Sequence, residues 1–192
     1  MIHINTEQNP EFVNSFLDYS LTILNKSPNS VKEYNYDINM FLKYMKMHLG
    51  LTKETNLKNI SIKDFSIGDL KRITPEDLLS FLSYLALNHN SKPATRARKV
   101  STIRIFFAYL AQKVKLIDKN PAQNLETPKQ EKRLPKYLSL DDSKKLLNVT
   151  LDENDENKER DFAIITIFLN CGLRLSELIA IDLKDIDFNE YK

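Results

Sequence analysis

Apolar side chains recur every three or four residues through most of the first 130 positions, the spacing that places them on one face of an α-helix. The first two such faces consist of Phe12, Phe16, Tyr19 and Ile23, and of Val31, Tyr34, Ile38, Phe41 and Met45. Ser30 and Glu33 have the spacing of a capping box and predict where the second helix begins, and Gly50 predicts where it ends. Residues 51–73 are polar with weak periodicity, which predicts an irregular segment.

Two more helices are predicted after this segment. Thr74 is a suitable N-cap for the first of them, because a proline and two acidic residues follow it at the positive end of the helix dipole. The second covers residues 92–115, and its inner face consists of Val100, Ile103, Phe107, Leu110 and Val114. At about 100° per residue, Arg98 points away from this face, while Lys99 and Arg104 flank it.

The last third of the chain has a different pattern. Prolines and mixed charges indicate a linker at residues 128–137, after a helical domain at residues 1–127. Ser139 and Asp142 then predict a short capped helix. An acidic loop separates it from the run DFAIITIFLN, which is apolar on nearly all sides and predicts a helix buried in a larger domain. We expect residues 138–192 to be the beginning of that domain, without its remainder.

Composition excludes several classes of site. Cys171 is the only cysteine, so an internal disulfide cannot form, and a reducing compartment is expected. The three histidines are far apart and have no cysteine partners, and none of the three glycines lies in a phosphate-binding loop pattern. We therefore expect no metal site and no cofactor. The chain has neither an apolar run of about eighteen residues nor a signal pattern, which predicts a soluble cytoplasmic protein.

The net charge of +2 is divided unevenly along the chain. Residues 1–130 contain 18 lysines and arginines against 12 acidic residues, whereas residues 131–192 contain 10 against 14. No acidic residue occurs between Leu78 and Ile117. The basic residues of this window are Lys92, Arg96, Arg98, Lys99, Arg104, Lys113 and Lys115. A window of this length without a carboxylate predicts a surface that binds a polyanion.

Four segments resemble, in the same order, segments of the tyrosine recombinase (phage integrase) family, and in particular its Xer-like members. SPNSVKEYNYDINMFLKYM is similar to the second helix of the family's core-binding domain, and RKVSTIRIFFAYL followed by KNPAQNLETPK resembles the last helix and its exit into the linker. LPKYLSLDDSKKLL is similar to the start of the catalytic domain. CGLRLSELIAIDLKDID resembles the box of the first catalytic arginine, T-G-L-R-x-S-E-L, with Cys171 where threonine is commoner.

The resemblance implies an all-α chain as printed: a helical, SAM-like core-binding domain, then the first helices of a mixed α/β catalytic domain that is truncated. It implies site-specific DNA recombination or integration, in which a tyrosine attacks the scissile phosphate, forms a 3′-phosphotyrosyl link and frees a 5′-hydroxyl. The family's catalytic lysine, its His-x-x-Arg box and its nucleophilic tyrosine have no match before Lys192. We therefore expect this chain to bind DNA and not to cut it alone.

The resemblance assigns Arg174 to stabilising the charge on the phosphate in the transition state, a task suited to a planar and permanently charged guanidinium. Glu177 is placed to orient Arg174 by accepting a hydrogen bond. Gly172 can end the apolar helix in the left-handed conformation, and Ser176 can cap the next helix. On spacing alone, the alternative is an ordinary ion pair between Arg174 and Glu177 at a helix end.

The DNA partner is expected to be double-stranded, and the residues expected to contact it lie on two helices of the core-binding domain and at their ends. They are Lys92, Thr95, Arg96, Arg98, Lys99, Arg104, Lys32 and Lys43. We expect a monomer off DNA, and a tetramer on DNA for an intact family member. Two alternatives stay open: a non-catalytic DNA-binding competitor or regulator from a truncated gene, and a helical protein–protein adaptor.

Overall fold

A computed structural model describes residues 6–129, 134, 136–151 and 155–187. The chain forms two compact units, Met1–Glu131 and Lys132–Lys192. All regular structure in the described residues is helical, which confirms the all-α fold class. None of the described helices has the length and apolar composition needed to cross a bilayer. Parts of the predicted linker and of the predicted acidic loop lie outside the described residues.

The helices of the first unit follow one another with short connections, except for the irregular segment before α3. They are α1 (Glu11–Thr22), α2 (Pro28–His48), α3 (Ile67–Lys71), α4 (Pro75–Leu87) and α5 (Pro93–Ala108), which continues into a π-helical turn (Tyr109–Lys113). The second unit contains α6 (Leu140–Val149), α7 (Lys158–Cys171), α8 (Leu175–Ile179) and a 3₁₀ turn (Leu183–Asp185).

The core of the first unit lies between α1, α2, α4 and α5, and large aromatic side chains fill it. Its fully buried phenylalanines are Phe16, Phe41, Phe81, Phe106 and Phe107. The rings meet edge to face, with 5.3 Å between the centroids of Phe41 and Phe81 and 5.3 Å between those of Phe16 and Phe106. Burying one phenylalanine contributes about 1.5–3 kcal/mol to folding. The Phe41–Phe81 contact holds α4 against α2, and the Phe16–Phe106 contact holds α5 against α1.

Most of the predicted apolar faces are confirmed. The predicted face residues that are buried are Phe12, Phe16, Val31, Ile38, Phe41, Met45, Val100, Ile103, Phe107 and Leu110, while Tyr19 and Tyr34 pack half-buried against them. Ile23 was assigned wrongly, because α1 ends at Thr22 and Ile23 is exposed after it. Val114 was also assigned wrongly. In the π-helical turn its N–H donates to the carbonyl of Tyr109, five residues earlier, and the wider turn rotates Val114 into solvent.

The start of α2 differs from the prediction. The helix begins at Pro28, whose fixed φ suits the first helical position, and the hydroxyl of Ser27 accepts from the backbone N–H of Ser30 at 3.3 Å. Ser30 and Glu33 therefore do not form the predicted capping box. The other end is as predicted. Gly50 has a φ of 69°, its N–H donates to the carbonyl of Met47, and the next N–H donates to the carbonyl of Lys46, which makes a Schellman motif.

The segment between α2 and α4 is irregular up to the start of α3, as predicted. It contributes more to the core than its polar composition suggests. Ile60, Ile62 and Phe65 are buried there. The ammonium group of Lys46 on α2 donates to the carbonyl of Ser61 at 2.9 Å and pairs with the carboxylate of Asp64. These contacts hold the irregular segment against α2.

In the second unit α7 packs against α6 and α8. The hydroxyl of Ser139 caps α6 by accepting from the N–H of Asp142 at 3.1 Å, as predicted. The apolar run of α7 is helical as predicted, but the unit does not bury it on all sides. Its apolar side chains are half-buried or exposed, among them Phe162 and Leu169.

Candidate nucleic-acid interface

The contact between α2 and α5 is built on one buried carboxylate, Asp37, whose side chain is 0% exposed. Its oxygens accept from Nη1 and Nη2 of Arg98 at 2.8 and 3.0 Å. They also accept from Nζ of Lys99 at 2.7 Å and from the hydroxyl of Thr102 at 3.0 Å. A buried carboxylate is tolerated only when it is paired and hydrogen-bonded in this way. Asp37 therefore anchors the middle of α5 to α2 and fixes the base of the Arg98 side chain.

A second carboxylate from α2 also reaches Arg98. Oε2 of Glu33 lies 2.8 Å from Nη1 of Arg98, and the side chain of Glu33 is 56% exposed. The acid-free window seen in the sequence is thus not an acid-free surface, because folding brings Glu33 and Asp37 against it. This corrects the interpretation of α5 as a helix without counter-charges.

Lys99 is also placed differently from the prediction. Its side chain is 4% exposed, its ammonium group donates to Asp37, and the same group lies 4.9 Å from the centre of the Tyr36 ring. The prediction that Lys99 contacts DNA is therefore wrong. An ammonium group with this burial and these partners is not presented to a ligand, so Lys99 belongs to the α2–α5 contact.

The other predicted residues of α5 are at or near the surface. Lys92 is exposed in the N-cap position, Arg104 is exposed in the second half of the helix, and the side chain of Arg98 is 40% exposed. Thr95 and Arg96 are half-buried, and Nη1 of Arg96 donates to the carbonyl of Ser91. Arg96 therefore closes the turn before α5. Lys92, Arg98 and Arg104 are the exposed cations of this helix, and Arg98 and Arg104 lie about 120° apart around its axis.

Lys32 and Lys43 lie on α2, where Lys32 is exposed and Lys43 is half-buried. At about 100° per residue, both lie roughly 120–140° around α2 from Asp37. Asp37 marks the side of α2 that faces α5. Lys32 and Lys43 therefore lie on a side of α2 turned away from α5, apart from the exposed cations of α5.

Arg174 lies in the second unit, on the connection between α7 and α8. Gly172 ends α7 with a φ of 61°, and its N–H donates to the carbonyl of Phe168 at 3.2 Å, as the left-handed helix end predicted for this glycine requires. Arg174 is the N-cap residue of α8. Ser176 lies inside this helix, so the prediction that it caps α8 is wrong.

Glu177 holds Arg174 with both carboxylate oxygens. Oε2 accepts from the backbone N–H of Arg174 at 2.7 Å, and Oε1 accepts from its Nη1 at 2.9 Å. The Arg174 side chain remains 82% exposed. A guanidinium has five N–H donors, and the bond to Glu177 uses one of them. The remaining donors suit the oxygens of a phosphate, which a guanidinium binds with two parallel hydrogen bonds.

Sequence reasoning missed Asp37 and Glu33 as partners of the basic helix. A signal was present for Asp37, which follows Tyr34 by three positions and precedes Phe41 by four, and so lies within the apolar face of α2. An acidic residue in such a face must find a buried partner. No comparable signal marks Glu33, which is exposed like most glutamates.

The sequence of this chain is similar to that of known tyrosine recombinases. Residues 12–115 match the model for the phage integrase N-terminal SAM-like domain. The chain is 44% identical over 178 residues to Tyrosine recombinase XerC of Caldanaerobacter subterraneus subsp. tengcongensis, an alignment that covers 92% of this chain and 50% of that protein. It is 30% identical over 176 residues to Tyrosine recombinase XerD of Listeria monocytogenes serovar 1/2a, covering 92% of this chain and 53% of that protein.

A solved structure, the crystal structure of XerA recombinase, aligns with a TM-score of 0.41 and 24% sequence identity, over 94% of this chain and 53% of that one. The chain spans about half the length of the curated relatives named above. Its sequence similarity to them covers both compact units.

Proposed function

We propose, because this chain belongs to the tyrosine recombinase (phage integrase) family, that its first unit binds double-stranded DNA. The observation that carries the proposal is that α5 has three exposed cations, Lys92, Arg98 and Arg104, and contains no acidic residue. Phosphate contacts from lysine and arginine supply most of the affinity in such complexes. The helix is long enough for this task, since 16 residues span about 24 Å at about 1.5 Å per residue.

The three exposed cations would act by neutralising phosphates. Arg98 and Arg104 are six positions apart on α5, or about 9 Å along the helix axis, and Lys92 lies a similar distance before Arg98. Thr95 and Arg96, half-buried between them, would add hydrogen bonds to sugar or phosphate oxygens. These contacts fix the position of the protein on the duplex without reading its sequence.

For the second unit we infer the role of the family's first catalytic arginine for Arg174. In the cutting step, negative charge grows on the non-bridging oxygens of the phosphate that a tyrosine attacks. A guanidinium that is hydrogen-bonded to Glu177 would stabilise that charge with its remaining N–H donors. Removal of one preorganised donor of this kind costs on the order of 10²–10³ in rate. The whole protein would then cut and rejoin DNA at specific sites in the cytoplasm, as a monomer off DNA and a tetramer on it.

The DNA-binding proposal is tested by measuring the binding of a labelled duplex over a range of salt concentrations. Three phosphate contacts, at about 0.9 each, predict a slope near −2.7 for log K against log salt. Replacing Arg104 with glutamine should weaken binding and reduce the size of the slope by about 0.9, because one phosphate contact is lost.

The control for this measurement is Lys58→Gln, which removes an equal charge from an exposed position outside α2 and α5. It should leave both the affinity and the slope close to those of the unmodified chain. A slope near zero for the unmodified chain, or equal losses for Arg104→Gln and Lys58→Gln, would reject the exposed cations of α5 as the DNA-binding residues.

A further inference from the structure

The guanidinium of Arg98 lies between two carboxylates that differ in burial. Asp37 is 0% exposed and accepts from Nη1 and Nη2, whereas Glu33 is 56% exposed and lies 2.8 Å from Nη1. We propose that Glu33 is an internal competitor for DNA: in the free protein it occupies the position at Arg98 that a DNA phosphate takes in the complex. The inference rests on the proposed DNA-binding function and adds a regulating residue to it.

The charges of Asp37, Arg98 and Lys99 do not balance, and one further anion can bind to this cluster. Asp37 carries one negative charge and is paired with two cations, Arg98 and Lys99. Without Glu33 the group therefore has one positive charge in excess, and Glu33 neutralises it. Because Lys99 is buried and bound to Asp37, the excess charge is accessible only at Arg98.

The two carboxylates are not equally replaceable. An ion pair with an exposed partner is weak in water, because solvent screens it and the long side chain loses freedom when it forms. A buried and fully hydrogen-bonded carboxylate such as Asp37 is held far more firmly. A phosphate approaching from solvent would therefore displace Glu33 and leave Asp37 in place. Asp37 would then fix the orientation of the guanidinium while the outward N–H groups of Arg98 change partner.

Phosphate and carboxylate oxygens make the same charge-assisted hydrogen bonds with arginine. If Glu33 instead helped to orient Arg98 for DNA, its removal would weaken binding. If it were a solvated side chain without influence, its removal would change nothing. Competition alone predicts tighter binding after removal, so the sign of the effect distinguishes the three roles.

The experiment compares duplex binding by the full chain and by Glu33→Gln, which keeps the size of the side chain and removes its charge. The variant should bind about fivefold more tightly at low salt. This factor corresponds to the loss of an attraction of about 1 kcal/mol between Glu33 and Arg98, taken as two unit charges about 4 Å apart in water. The gain in affinity should shrink at higher salt, because salt screens this attraction. When Arg98 is already replaced with glutamine, Glu33→Gln should increase the affinity for the duplex much less, because the guanidinium for which Glu33 and phosphate compete is absent.

Glu76→Gln is the matched control, since Glu76 is an exposed glutamate in the first turn of α4. It should leave the affinity nearly unchanged, which separates competition at Arg98 from a general change in net charge. Circular dichroism of each variant establishes that its helix content is unchanged.

Each outcome supports or overturns the competitor role of Glu33. If the unmodified chain binds the duplex and Glu33→Gln binds equally or more weakly, the competitor role is overturned and the proposed function stands. If neither protein binds, both proposals are overturned. If only Glu33→Gln binds, or if it binds more tightly and the gain depends on Arg98, the competitor role is supported.

Discussion

The described hydrogen-bond partners of the Asp37 side chain, Arg98, Lys99 and Thr102, all lie on α5. Loss of the Asp37 charge leaves Lys99 as a buried cation without a counterion. We expect Asp37→Asn to lower the free energy of unfolding by about 3 kcal/mol, within the range for breaking a buried ion pair from one side. Urea denaturation followed by circular dichroism measures the change.

Lys99→Met is the companion variant, because it removes the buried cation and leaves Asp37 bound to Arg98 and Thr102. It should cost clearly less than Asp37→Asn. An equal or larger loss for Lys99→Met would show that Asp37 is not the group on which the α2–α5 contact depends.

Gly50 and Gly68 should respond in opposite directions to alanine. Gly50 has a φ of 69°, where an added Cβ is strained, so Gly50→Ala should destabilise the protein by about 1 kcal/mol. Gly68 lies within α3, and an added Cβ would meet only the Ser66 hydroxyl at 3.4 Å, so Gly68→Ala should stabilise it by about 0.5 kcal/mol. Thermal unfolding of the two variants gives the signs, and a shift of both in the same direction would contradict this account.

At the scale of residues, the sequence was informative where a partner is close in the chain. The bond between Arg174 and Glu177 was predictable because three positions separate them at a helix start. The burial of Lys99 was not, because its partner Asp37 is 62 positions away and only the packing of α2 on α5 brings them together. A basic residue that has no acidic residue near it in the sequence is therefore not necessarily exposed in the folded protein.

At the scale of elements, the start of α4 makes stability depend on pH. Burial raises the pKa of the Asp77 carboxyl, but hydrogen bonds from the backbone N–H of Thr74, from His48 and from the Thr74 hydroxyl outweigh it, and the pKa falls below its ordinary value of 3.8. The ionised form is thus favoured in the folded state. Its contribution is present at neutral pH and is lost as the pH falls through the range below about 4.

We expect Asp77→Asn to be less stable than the unmodified chain by about 1 kcal/mol at neutral pH, the usual effect of a lost helix cap. The difference should shrink as the pH falls through the acidic range below the ordinary carboxyl pKa of 3.8, because protonation removes the same contribution from Asp77. Melting temperatures measured across this range test it. Asp118→Asn, which changes an 89% exposed carboxylate, should show no such convergence, and convergence in that variant would point to a general charge effect.

Three helices begin with a proline, α2, α4 and α5, and of these the start of α2 was misassigned. Thr74 and Pro75 were identified, but at α2 the capping-box spacing of Ser30 and Glu33 was preferred over Ser27 and Pro28. The position preference of proline was the stronger signal. The π-helical turn at Tyr109–Lys113 has no recognisable sequence pattern. Its first residue, Tyr109, packs on Phe16 and Tyr19, with 5.5 and 4.9 Å between ring centres.

At the scale of the whole molecule, the order of the helices and the change of character after residue 130 were readable from periodicity and proline content. The contribution of the polar segment between α2 and α4 to the core was not, because isolated apolar residues such as Ile62 and Phe65 form no periodic face. Such residues are placed by the cavity they fill, which the sequence alone does not show.

The position of Cys171 has a practical consequence. It is the only cysteine of the chain, it is exposed, and it lies at the end of α7, three residues before Arg174. A maleimide dye or a nitroxide attached there would label the protein at a single defined point without any mutation. Its emission or spectral line shape would report directly on what happens around the guanidinium when an oligonucleotide is added.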